Sequence, residues 1–198
     1  MPSLSLHIYA GYLLNPAGSQ VYFTGLIAPD AVEPWQKKEH AHLRDRADRL
    51  DALHALSDRA LPGDDFALAT LFHLFCDYIW DTSALQGYKD RHGEDWFLPY
   101  RGETAKASSF LYASHPELAR CWTLADTCPP DAYAASAYRV DGDIPPFIHR
   151  NYLTQRDRRI GPSEVYPPAY VEEYCRYAAE VFPRWRENPQ YTIFYPFP

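Results

Sequence analysis

Residues 67–81, ALATLFHLFCDYIWD, read as an apolar helix that nonetheless carries His73 and Asp77. A spacing of four residues is about one helical turn, so the imidazole and the carboxylate share a face. Ala67, Leu68, Leu71, Phe72, Leu74, Phe75, Tyr78, Ile79 and Trp80 cover nearly every other direction. A helix that is hydrophobic all round belongs in the middle of a protein. This one is too short, and too interrupted by His73, Asp77 and Asp81, to cross a bilayer. Asp64 or Asp65, after Pro62 and Gly63, offers its N-cap. Two titratable groups in such surroundings need partners. Either they hydrogen-bond each other in the core, or a bound metal ion satisfies both.

The 198 residues suit one domain with a sizeable core. A formal charge of −7 argues against a broad basic surface, so no stable nucleic-acid complex is expected. It leaves room for an enzyme that holds one phosphate beside a metal ion, where the cation supplies the local field. Cys76, Cys121, Cys128 and Cys175 form no CxxC pair, zinc-finger spacing or dense disulfide framework, which favours a reduced chain. The opening MPSLSLHIYAGYLL has neither a basic leader nor a small-residue cleavage site. With no transmembrane segment, these features point to the cytoplasm. Aromatic residues make up 16% of the chain and cluster beside prolines late in it, as in VYPPAY and YTIFYPFP. A disordered tail would be poor in aromatics. The Pro/Tyr-rich C-terminal extension, at about 184–198, is therefore expected to pack, either on its own domain or on a second copy in a homo-oligomer.

Apolar spacing predicts a helix over residues 4–14, stopped by Asn15 and Pro16, with His7 near its apolar side. In VYFTGLIAPDAVEP, Pro29 and Pro34 break the apolar run and leave Asp30 at a turn or a helix start. Residues 35–60 read as one long amphipathic helix with His42, Leu43, Leu50, Leu53 and Leu56 inward and charged i,i+4 pairs outward. Residues 82–102, with Gly87, Gly93, Pro99 and Gly102, read as an irregular lid or entrance. Helices are expected over 103–112, 116–124 and 163–182, while 129–153 is rich in Pro and polar residues. No strand alternation persists, so the architecture is mainly helical.

His7, Asp30, His42, His73 and Asp77 come from four successive elements and meet only if those elements pack round one centre. Imidazole nitrogen and carboxylate oxygen suit zinc, with manganese, iron and nickel as further options. The series formed by PSLSLHIYAGYLLN, TGLIAPD, KKEHAHLRD and FHLFCDYIWD resembles the zinc-dependent phospholipase C family and its bacterial relatives over roughly the first half of the chain.

That resemblance implies an all-α, single-domain helical bundle of the phospholipase C and P1 nuclease type spanning residues 1–198. It implies metal held by His and Asp side chains and hydrolysis of phosphodiester bonds. Residue by residue, it makes Asp30, His42, His73 and Asp77 ligands of one metal and His7 the ligand of a neighbouring metal that shares Asp77. Asp30 would also be the catalytic residue, orienting the attacking water or taking its proton. His40 competes with His42, but the order His, apolar, Arg favours His42. The secreted members of the family add a further His, an HxxxE pair and a processed amino terminus. This chain has no HxxxE and carries six residues before His7, so one or two zinc ions are expected rather than three.

His92, Asp81 and His115 are weaker substitutes as ligands, and His54 and His149 read as structural. Lys38, Arg44 and Lys89 are candidates to meet a phosphate, though each also reads as a plain surface charge. The expected function is a metal-dependent hydrolase of phosphoester bonds acting on a small phosphoester or a lipid head group. The alternative is a non-catalytic, metal-stabilised helical binding protein whose site is saturated by protein ligands. The absence of a His-Asp dipeptide puts an HD-type phosphohydrolase behind both.

Overall fold

A computed structural model describes residues 2–60, 62–188 and 190–196. In chain order its helices are α1 (Leu4–Leu14), α2 (Gln20–Gly25), α3 (Trp35–Ala41), α4 (Arg49–Arg59), α5 (Asp65–Trp80), α6 (Gln86–His92), α7 (Phe97–Ser114), α8 (Glu117–Asp126), α9 (Ile144–Asp157) and α10 (Pro168–Glu187). The chain is all-α, built on one continuous core. Among the described residues, strand-like pairing is confined to an isolated antiparallel bridge between Val32 and Gly142. None of the described helices is long and apolar enough to cross a membrane.

The buried helix is the axis of the molecule. Asp64 is its N-cap and accepts a hydrogen bond from the Ala67 N–H at 2.9 Å. The same carboxylate accepts from Ser136 Oγ at 2.9 Å and from the Ala137 N–H at 2.8 Å, which ties a distant loop to the helix start. Phe72, Phe75, Ile79 and Trp80 are fully buried, and each such side chain contributes about 1.5–3 kcal/mol. α1, α2, α4 and α10 lie directly on α5; α7 and α8 pack against α1, α8 also against α2, and α9 packs on α7 and α8.

One close approach matters for the site. A Cβ on Gly25 would lie 2.7 Å from the Phe66 carbonyl oxygen and 2.9 Å from Ala69 Cβ, so glycine is what lets α2 press against α5.

At the C-terminal end of α5 stands an aromatic wall of Trp80, Tyr88, Tyr100, Tyr166, Tyr170, Tyr174 and Tyr195. The C-terminal extension belongs to it. Tyr195 is buried and donates to the Tyr170 carbonyl at 3.2 Å, and Tyr170 donates to the Pro196 carbonyl at 3.1 Å. Residues 190–196 are therefore wrapped on their own domain. Pro189, Phe197 and Pro198 lie outside the described residues.

Three expectations change. The helix read over residues 35–60 is two, α3 and α4, separated by a turn in which Leu43 takes φ +57°, a left-handed conformation that costs about 1–2 kcal/mol. Periodicity could not show this turn, because it is imposed by the need to carry His42 into the core and Arg44 to two buried carboxylates. Residues 82–102 are largely helical. A π-helical turn, Asp81–Leu85, leads into α6, Gly93 at φ +62° ends it, and Pro99 sits in the first turn of α7, where no helical N–H partner is needed. The last helix runs through Pro183 to Glu187, because buried Trp185 packs on Phe75 and Phe182 and outweighs the proline. The extended part of the tail starts at Asn188.

Candidate metal centre

The five residues singled out in the sequence meet at one point. α5 supplies His73 and Asp77, α1 supplies His7, a 3-10 turn over Ala28–Ala31 supplies Asp30, and the turn after α3 supplies His42. Their relative exposures are 1% for His7, 6% for Asp30 and 0% for His42, His73 and Asp77. His40, the competitor of His42, points outward and pairs with Asp45.

Backbone carbonyls fix two of the rings. His73 Nδ1 lies 2.8 Å from the Leu26 carbonyl oxygen and His42 Nδ1 lies 2.7 Å from that of Lys38. A carbonyl only accepts, so both Nδ1 atoms carry a proton and each ring turns its Nε2 inward. Those two Nε2 atoms are 3.2 Å apart. Asp77 Oδ2 lies 3.3 Å from His42 Nε2 and 3.6 Å from His73 Nε2, and Asp30 Oδ1 lies 3.5 Å from His42 Nε2. The His7 ring stacks on His73 at 3.8 Å, with its Nε2 3.4 Å from Asp77 Oδ1 and no hydrogen bond on either nitrogen.

Arg44 and Lys38 reach Asp77 and Asp30, but both His7 nitrogens and Asp77 Oδ1 remain without a hydrogen bond, and a divalent cation would serve them together with the His42 and His73 Nε2 atoms. His7, Asp30 and His73 form one group whose donor atoms lie within 4.8 Å of one another, and His42, His73 and Asp77 form a second; both can hold a metal ion.

Charged neighbours hold the carboxylates ready. Burial opposes the charge on Asp77, but the Arg44 guanidinium 3.2 Å away and His73 outweigh it and hold the carboxyl well below the usual range. Burial likewise opposes charge on Asp30, and the Lys38 ammonium at 2.7 Å, with His42, reverses the balance in the same direction. For His7, burial first and the His73 charge second lower the pKa to about 4. For His73, burial pulls down but Asp77 pulls harder, and the net shift is upward. Arg44 also binds Asp81 at 2.6 Å and Glu39 at 3.3 Å, and Arg49 binds Asp81 at 3.0 Å.

A cavity of about 420 Å³ reaches the centre, and Asp30, Lys38 and Arg44 stand in its wall. The segment read as an entrance does border it, through Leu85, Lys89, Trp96, Phe97 and Tyr100. Asp81 is next to the centre, held by two arginines. The other substitute ligands lie apart: His92 stacks on Tyr88, and His115 sits between Tyr9, Glu117 and Glu172. His54 packs on Trp185 and His149 pairs with Asp126. Sequence reasoning missed the Leu26 and Lys38 carbonyls, which carry no residue-type signal, and the cavity-lining Arg101 and Arg158.

No family model, curated protein or solved structure matches this chain.

Proposed function

We propose that the chain is a metal-dependent hydrolase of phosphoester bonds, phospholipase C-like, with one or two zinc ions held by His7, Asp30, His42, His73 and Asp77. The supporting observation is the buried convergence of three imidazoles and two carboxylates beside a cavity whose wall also carries Lys38 and Arg44. A bound divalent cation supplies electrophilic activation of a phosphoryl oxygen and of water.

The protein's own groups do the rest. Leu26 and Lys38 carbonyls fix the tautomers of His73 and His42, the arrangement that positions a ligand ring. Arg44 and Lys38 keep Asp77 and Asp30 ionised and present positive charge to an anionic ester. Asp30, the ligand candidate that lines the cavity, orients the attacking water. With its carboxyl held well below the usual range it is a poor proton acceptor, so orientation is its role rather than general-base catalysis. The substrate is a small phosphoester or a lipid head group.

Incubating the purified protein with zinc or manganese and a panel of phosphodiesters and phosphomonoesters tests this reading. Turnover that is lost in His73→Ala is the expected result. No turnover with any metal, in protein whose loading is verified, contradicts it.

One observation favours a second reading, a closed metal site that stabilises a binding protein. His7, His42, His73 and Asp77 are fully buried, leaving Asp30 as the ligand candidate that faces the cavity. Structural sites are saturated by protein ligands, and catalytic ones keep an open position. Metal-loaded protein in which no exogenous anion perturbs the metal would support it.

A further inference from the structure

The rest of the cavity wall differs in charge from the centre. Lys89 in the last turn of α6, Arg101 in α7 and Arg158 at the C-cap of α9 line the same cavity from three separate elements. Lys38 and Arg44 are neutralised by Asp30, Asp77, Asp81 and Glu39. Lys89, Arg101 and Arg158, by contrast, have no carboxylate partner among the described residues. Glu103, the acid closest to Arg101 along α7, is already taken by Lys106 at 2.7 Å and by the Ser163 hydroxyl at 2.6 Å. The Lys89 ammonium rests 4.5 Å from the Trp96 ring, a contact that orients it without using its N–H donors. Three unneutralised cations on one cavity wall, in a chain of net charge −7, form a local positive field with forked donors suited to a phosphate or carboxylate.

We propose that Lys89, Arg101 and Arg158 form an anion subsite that holds a second phosphate or carboxylate of the substrate. The ester split at the centre then carries a further anionic group. The word "substrate" rests on the hydrolase reading; the subsite itself does not, and it is testable in chelator-treated protein.

Inorganic phosphate is the first probe, its binding followed by titration calorimetry and by the fluorescence of Trp96 beneath Lys89. Arg101→Gln and Arg158→Gln are each expected to weaken phosphate about tenfold, the value of one charge-assisted hydrogen bond. Lys37→Gln removes a cation paired with Asp141 at an exposed site outside this cavity and is expected to change nothing. Absent phosphate binding, or an equal loss in all three variants, overturns the proposal.

The second probe is a matched set of p-nitrophenyl phosphodiesters whose other alcohol is neutral, carries a carboxylate or carries a phosphate. With metal-loaded protein, a lower KM is expected for a charged ester than for the neutral one, and Arg101→Gln erases that difference. The carboxylate and phosphate arms show which anion is preferred. Equal KM across the set overturns the assignment to substrate. If no ester is turned over while phosphate binding still depends on both arginines, the hydrolase reading fails and the anion subsite stands.

Discussion

The aromatic wall and the metal centre adjoin the same helix, are both buried and both contain polar atoms, yet the wall closes its hydrogen bonds and the centre does not. In the wall, hydroxyls meet acceptors: Tyr174 donates to the Cys76 carbonyl at 2.6 Å, Tyr195 to that of Tyr170 at 3.2 Å, and the Trp80 indole N–H to Tyr100 at 2.8 Å. In the centre, both His7 nitrogens, Asp30 Oδ1 and Asp77 Oδ1 are buried without a hydrogen bond. A polar cluster that closes its own hydrogen bonds is finished structure. One that leaves buried lone pairs unserved is shaped around something positive.

Removing Asp77 breaks the contrast most strongly. Asp77→Ala takes away the carboxylate that reaches His7, His42 and His73 and leaves Arg44 and the imidazoles facing each other. Loss of one partner from such a buried cluster costs about 3–5 kcal/mol. Denaturant unfolding should show that loss, and the rise in melting temperature expected on adding zinc to the parent protein should be absent from the variant.

Gly25→Ala asks whether packing positions the centre. The added Cβ must displace the Phe66 backbone or Ala69, at a cost of about 2 kcal/mol. It also draws the Leu26 carbonyl away from His73, so zinc affinity should fall about tenfold. Gly102→Ala, which meets no atom within 4 Å, should leave zinc affinity unchanged.

What the sequence revealed follows from the reach of its signals. The axis helix was legible because apolar residues surround His73 and Asp77 at a fixed local spacing, and α1 and the Asp30 turn were legible from periodicity and prolines. The break between α3 and α4 was not, since it serves long-range contacts of His42 and Arg44 that no local pattern encodes. The same holds for Arg101 and Arg158, ordinary surface cations until folding sets them on one wall. The five residues of the centre were legible as a set, but which atoms face inward depends on two backbone carbonyls that side-chain identity cannot show.

Smaller effects should spare the centre. Asp64→Ala removes the cap of α5 and the anchor of Ser136 and Ala137, at a cost of about 1–2 kcal/mol. Burial opposes the Asp64 charge, but the N–H groups of Ala67 and Ala137 and the Ser136 hydroxyl lower its pKa below 3.8. Its contribution is therefore complete above that pH and lost as pH falls through the lower folded value. The stability gap between parent and variant, read from urea unfolding, should be full at neutral pH and narrow in acid. Tyr174→Phe breaks one hydrogen bond of the wall, worth about 1 kcal/mol. Calorimetric zinc titration of this variant should match the parent.

The central claim is that His42, His73 and Asp77, with His7 and Asp30, share a cation. Anomalous diffraction at the zinc edge from crystals of zinc-loaded protein tests it most directly. The expected result is a peak bounded by the Nε2 atoms of His42 and His73 and the Asp77 carboxylate. Crystals with no peak there, and with protons or water bridging the same nitrogens and oxygens, would contradict the account.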